Sequence, residues 1–192
     1  MGIDKPKQYL PKDATLVFRG KNFEVWQWEQ EMYDGTKKIF EKVKKRNAVS
    51  VIAIVEDKII IQEQEQPHRD MFISLPWGGC ELDEDLAETA RRELLEETGY
   101  VSENMTFRKS VPSAYSSLIH EEHYFIAKDC QKVQEMNLDN GEKIENKLVS
   151  FEEFILLSED ERFREVNLKG VLLRMRLHPE EEQIFKTLLF SR

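Results

Sequence analysis

Cysteine is scarce: Cys80 and Cys130 are the only two in 192 residues. No CxxC pair exists, so neither a disulfide framework nor a cysteine-built zinc knuckle is available, and a reducing compartment suits the chain. Long apolar runs are missing as well. The longest, such as Val51–Val55, fall far short of the ~20 residues that cross a bilayer, so no membrane partner is expected. The opening residues, MGIDKPKQYL, hold no apolar signal core, and the expected location is the cytoplasm. Basic charge is in deficit: 28 Lys and Arg against 37 Asp and Glu give a formal net charge of −9. An acidic surface repels a phosphate backbone, which speaks against nucleic-acid binding through a broad basic face. A small anionic substrate stays possible where a metal neutralises it locally.

What is present is the composition of a folded domain, 40% hydrophobic and 34% charged. Segments rich in aromatic and β-branched residues predict strands at 16–19, 23–31, 38–43, 48–55, 58–63, 72–75, 105–110, 123–127 and 147–149. Turns are expected at Tyr33–Thr36 and at Glu56-Asp57. Helices are expected at 151–157, 168–176 and 179–190. Strands and helices mix without a regular βαβ alternation, which predicts an α+β fold rather than a doubly wound sheet.

The strongest helix signal follows Asp83-Glu84-Asp85, acids placed where the helix dipole favours them. Leu86, Ala90 and Leu94 recur at i, i+4 and i+8 as an apolar stripe, and Gly99 supplies the terminator. Glu93, Glu96 and Glu97 share one side of this helix. Three carboxylates there repel one another at the end where the dipole also disfavours them. A solvated acidic face is the ordinary reading of such a run. The costlier reading is an oxygen-only site for Mg²⁺ or Mn²⁺, completed by water and substrate phosphate. Arg92, four residues before Glu96, can orient a carboxylate.

The wider spacing decides between the two. Gly78, Glu84, Arg92, Glu93, Leu94, Glu96, Glu97, Gly99 and Tyr100 fill every defined position of G-x5-E-x7-R-E-U-x-E-E-x-G-U, where U is bulky and apolar or aromatic. A chance match at seven fixed residues is on the order of one in 10⁶. The chain thus resembles the Nudix hydrolase superfamily. Leu75-Pro76-Trp77-Gly78, with the N-terminal Arg19-Gly20-Lys21 and Tyr33-Asp34-Gly35, resembles its ADP-ribose and nucleotide-sugar pyrophosphatase branch.

The resemblance implies an α/β/α sandwich (residues 45–192) and an N-terminal antiparallel β subdomain (1–44) that pairs two copies into a homodimer. It implies hydrolysis of the diphosphate in a nucleoside diphosphate sugar, giving a nucleoside monophosphate and a sugar phosphate. Glu93, Glu96, Glu97 and the carbonyl of Trp77 would hold the cation, with Glu84 and Arg92 tying loop to helix. The general base would come from the loop 137–146, which carries Asp139, Glu142 and Glu145; Glu142 is favoured, with Glu145 in reserve. Arg69 would grip phosphate in place of the branch's Gln-x-Arg. Phe23 and Trp28 would offer rings to the nucleobase, against the alternative that they pack an interface. Trp77 replaces the branch's usual Ala, and Val111-Pro112-Ser113-Ala114-Tyr115 replaces its Ser-Pro-Gly loop.

His120-Glu121-Glu122-His123 is not a zincin motif, because its two His stand at i, i+3 before a strand rather than at i, i+4 on a helix. Two further readings stand beside the first: a nucleoside triphosphate sanitising enzyme, which the N-terminal strands disfavour, and a non-catalytic nucleotide-sensing module, which the intact carboxylates disfavour.

Overall fold

The computed structural model describes residues 10–67, 69–81, 84–138 and 140–191. The strands are β1 (Thr15–Arg19), β2 (Phe23–Glu31), β3 (Lys37–Lys45), β4 (Ala48–Val55), β5 (Lys58–Gln66), β6 (Arg69–Ser74), β7 (Trp77–Gly79), β8 (Tyr100–Val101), β9 (Asn104–Pro112), β10 (Leu118–Ile119), β11 (Glu121–Lys128), β12 (Gln131–Lys132) and β13 (Lys143–Val149). The helices are α1 (Leu86–Thr98), α2 (Phe151–Leu156), α3 (Val166–Leu177) and α4 (Pro179–Phe190), with a 3₁₀ turn at Leu157–Glu159. The class is α+β, as expected. Contacts divide the chain into two units: Met1–Ala48 with Ser110–Glu122, and Val49–Lys109 with His123–Arg192.

In the first unit, β1, β2 and β3 form an antiparallel meander, and β2 and β3 stay in register from Phe23↔Lys45 to Glu31↔Lys37. Asp34 shapes the turn by accepting from the Thr36 N–H (2.9 Å) and hydroxyl (2.6 Å). Trp28 is buried against Phe40, ring centroids 6.1 Å apart. β10 adds to β3 in parallel, Leu118 opposite Val43. This strand could not be foreseen: two residues of pattern are too few to read, and its place is set by β3, far back in the chain.

In the second unit the sheet order is β13-β5-β4-β11-β9, with β6 on β5 and β7 on β4. Burial on both faces explains why β4 reads as one apolar run. Val49, Val51 and Ala53 pack with Ala90 and Leu94 of α1, and with Phe125 and Ala127 of β11. α2 packs on β5 and α3, and α3 on α4. Ser150 caps α2 with a reciprocal Ser150/Glu153 capping box.

The helix limits of α1 follow from two residues. Asp85 is the N-cap, its Oδ1 accepting from the N–H groups of Ala87 (2.8 Å) and Glu88 (3.3 Å). Gly99 ends the helix at φ 76°, and a β-carbon there would lie 2.1 Å from the Gln134 carbonyl oxygen. Both its backbone and its surroundings therefore require glycine. The last strand is longer than expected: β13 starts at Lys143, because it pairs with β5 from Lys143↔Glu65 to Val149↔Ile59. Glu145 is thus a strand residue and not part of a loop. Asp83 and Asp139 lie outside the described residues.

Candidate active site

The box residues converge where β7 meets α1. The Trp77 N–H donates to Glu97 Oε2 at 2.9 Å. Gly78 lies so close to Glu93 that a β-carbon on it would fall 1.9 Å from the Glu93 carboxyl carbon. Arg92 binds the remaining carboxylates: Nε donates to Glu84 Oε1 (2.9 Å), and Nη1 to both Glu93 Oε1 (2.8 Å) and Glu96 Oε2 (3.1 Å). Glu84 also accepts from the Glu81 N–H at 3.1 Å, which closes the loop leading into the helix.

The electrostatics of the carboxylates differ according to their burial. Glu97 is 5% exposed, and desolvation drives its pKa well above the ordinary 4.5, with Glu93 and Glu142 adding repulsion. Burial also lifts Glu93 to about 7, opposed by Arg92 and helped by Glu96 and Glu142. Glu84 goes the other way, to about 2, because Arg92 hydrogen-bonds its charged form. Two carboxylates held against their charge beside a third make a donor set of hard oxygen atoms, and such a set suits Mg²⁺ or Mn²⁺. Among the described residues no three acids, cysteines or histidines are gathered tightly enough to enclose an ion as they stand. Arg92 Nη1 bridges two of them, so a cation would compete with a guanidinium for Glu93 and Glu96.

Sequence reading missed a buried amide chain behind Glu97. Gln62, fully buried, accepts from Gln64 Nε2 (2.7 Å), which also donates to Ser74 Oγ (3.0 Å). Turned so that its nitrogen faces the helix, the Gln62 amide lies 3.2 Å from both Glu97 Oε2 and the Leu75 carbonyl, the orientation an ionised Glu97 selects. Asn146 Nδ2 donates to the Glu97 carbonyl at 2.8 Å. The alternation Gln62-Glu63-Gln64-Glu65 was the only available signal, and it reads equally well as a solvated strand end.

The other sequence candidates fall in distinct places. Glu142, half-buried just before β13, acts electrostatically on both Glu93 and Glu97. Glu145 is exposed on β13 opposite Glu63 and alternates with Ile144 and Asn146, the residues turned toward α1. Arg69 stands 5.0 Å from the Phe72 ring centre. In the first unit, Phe23 is 47% exposed, whereas Trp28 is enclosed, its indole N–H donating to Gln30 Oε1 at 3.1 Å.

Comparison with known proteins accords with this geometry. The chain matches the NUDIX domain over residues 44–169. It belongs to the NUDIX family. It is similar to an ADP-ribose pyrophosphatase of Bacillus subtilis (strain 168), 31% identical over 149 residues, 74% of this chain and 79% of that protein. It is similar to a methanol dehydrogenase activator of Bacillus methanolicus, 33% identical over 67% of this chain and 71% of that one. A third relative is the ADP compounds hydrolase NudE of Escherichia coli (strain K12), 28% identical over 61% of this chain and 64% of that protein. Among solved structures, an ADP compounds hydrolase shares the fold at a TM-score of 0.71 and 24% identity, over 89% of this chain and 95% of that one. This NUDIX protein is a hydrolase of the branch that holds the ADP-ribose pyrophosphatases.

Proposed function

We propose that this NUDIX hydrolase cleaves the diphosphate of a nucleoside diphosphate sugar of the ADP-ribose type, with Mg²⁺ or Mn²⁺ held by Glu93, Glu96, Glu97 and the Trp77 carbonyl. The observation that carries the reading is the enforced approach of Glu97 to the Trp77 N–H (2.9 Å) and of Glu93 to Gly78. Burying two carboxylates in repulsion costs stability, and a bound cation offsets that cost. When bound, the ion neutralises phosphate charge and acidifies a water. Glu142 takes the proton of the attacking water as its oxygen bonds to phosphorus. The bridging P–O bond then breaks, and the products are a nucleoside monophosphate and a sugar phosphate. Arg92 holds Glu93 and Glu96 in place, and Glu84 anchors Arg92.

The names of the relatives supply the substrate class, and the acidic charge favours a small ligand over nucleic acid. Phe23, with its exposed ring, is the base-stacking candidate; Trp28 serves packing. Phe18, Phe23, Ile39 and Phe40 leave the N-terminal sheet with a large exposed apolar area, which supports a homodimer. Both cysteines are free thiols, which agrees with a cytoplasmic setting. A hydrolysis screen of ADP-ribose and other nucleotide sugars with Mg²⁺ and Mn²⁺ tests the reading. Turnover of ADP-ribose to AMP and ribose phosphate is expected, and absence of turnover on every nucleotide sugar overturns it. Light scattering tests assembly: a stable monomer at micromolar concentration removes the dimer.

A further inference from the structure

We propose that Arg164, joined by Arg69, grips the substrate diphosphate from the side opposite the carboxylates. This deepens the function proposed above and rests on it.

Residues 162–164 meet β6 through one isolated bridge. The Ile73 N–H donates to the Arg162 carbonyl at 2.9 Å, the Arg164 N–H donates to the Ile73 carbonyl at 2.9 Å, and Ile73 pairs with Phe163 in a parallel bridge. Side chains alternate along such a segment. Phe163 turns toward α2, its ring centre 6.5 Å from that of Phe154. Arg164 turns to the other face, the one that carries Phe72 and Gln64. There its guanidinium carbon stands over Phe72 at 4.3 Å from the ring centre and over Trp77 at 5.6 Å. Trp77 is the residue whose N–H holds Glu97, so this cation stands within one side chain of the candidate metal ligands.

Arg69 stands over the same Phe72 ring at 5.0 Å. The two guanidinium groups thus share one aromatic ring. A guanidinium over an aromatic face is held by the ring's quadrupole and donates in its own plane, which matches two phosphate oxygens side by side. The neighbouring run Gln62–Gln66 holds no basic residue, and the chain as a whole is acidic at −9. A diphosphate lying between Glu93/Glu97 and this pair would meet a cation-binding end and a guanidinium end.

The test uses R164M, which keeps much of the side chain's apolar volume, together with R164K, R164Q and R69M. Inorganic pyrophosphate is titrated calorimetrically in the presence of Mg²⁺, and ADP-ribose kinetics are measured in parallel. In R164M, pyrophosphate affinity is expected to fall about 10-fold or more and KM for ADP-ribose to rise about 10-fold, with kcat within about threefold of wild type. R164K recovers only part, because an ammonium lacks the planar fork. Pyrophosphate affinity and KM both within about twofold of wild type in R164M overturn the assignment. If R164M does not fold, R164Q carries the same criterion. A wild-type enzyme that fails to hydrolyse ADP-ribose overturns the substrate reading alone, because the pyrophosphate titration judges Arg164 without turnover.

Discussion

Glu93 occupies the space that any side chain on Gly78 would need: a β-carbon there would sit 1.9 Å from the Glu93 carboxyl carbon and 2.0 Å from its Oε1. The glycine that opens the sequence motif and the first glutamate of its carboxylate cluster are therefore one steric unit. Gly78→Ala must displace Glu93 or the β7 backbone. Overpacking of this kind costs about 1–3 kcal/mol. The expected result is a folded protein whose kcat/KM falls by about 10²-fold, as when a supporting group of a metal site is lost, and whose Mn²⁺-induced rise in Tm disappears. Wild-type turnover in G78A would show that Glu93 has no need of this position.

Glu97→Gln separates stability from activity. Glutamine can still accept from the Trp77 N–H but carries no charge into a site that is 5% exposed. The Glu97 carboxyl is raised above its ordinary 4.5 by burial, so its ionisation opposes folding. That penalty is absent below about pH 4.5 and grows as pH rises above it. Metal-free E97Q should therefore match wild type at pH 4 and melt at an equal or higher temperature at pH 7.5. Its activity should fall by about 10²-fold or more, because an anionic ligand is lost. Near-normal turnover at saturating Mg²⁺ would sink the ligand assignment.

The parts of this site that could be read in the sequence are those fixed by local spacing. Asp85 and Gly99 bound α1 because a cap and a left-handed terminator act within a few residues. Glu93, Glu96 and Glu97 share a face because helical geometry is local. The buried Gln62 could not be read this way. Its partner Asn146 lies 84 residues away, and only the folded sheet turns an apparently solvated strand end into an interior. β13 ran long for the same reason, its start being set by β5. Arg164 stood between two expected helices with no pattern of its own.

Gln62 yields a prediction that tests the amide chain. Gln62→Met keeps the volume and removes the donor facing Glu97. In the alternative orientation the same amide accepts from Gln64 Nε2 at 2.7 Å, so in either orientation the methionine leaves a buried polar group without its partner, which costs about 1–3 kcal/mol. Mn²⁺ affinity read by electron paramagnetic resonance should fall about 10-fold, in the range for groups that orient metal ligands. A lower Tm with unchanged Mn²⁺ affinity would make Gln62 a packing residue only.

Glu142 and Glu145 differ by three positions and by the face they serve. Glu142 is half-buried and acts on Glu93 and Glu97. Glu145 is exposed directly opposite Glu63, whose carboxylate is bound by Lys147 at 2.6 Å. Glu142→Gln should lower kcat by about 10²- to 10⁴-fold, the usual worth of a general base. Its Mg²⁺ affinity should change far less than that of E97Q, and can even improve, because one source of repulsion on Glu93 is gone. Glu145→Gln removes a like charge from a cross-strand pair, so its Tm should stay level or rise slightly, with kcat unchanged. Parallel kinetics and metal titrations of the two variants decide the matter: a full loss in E145Q beside an active E142Q would transfer the base to the strand and contradict the facing deduced from β13.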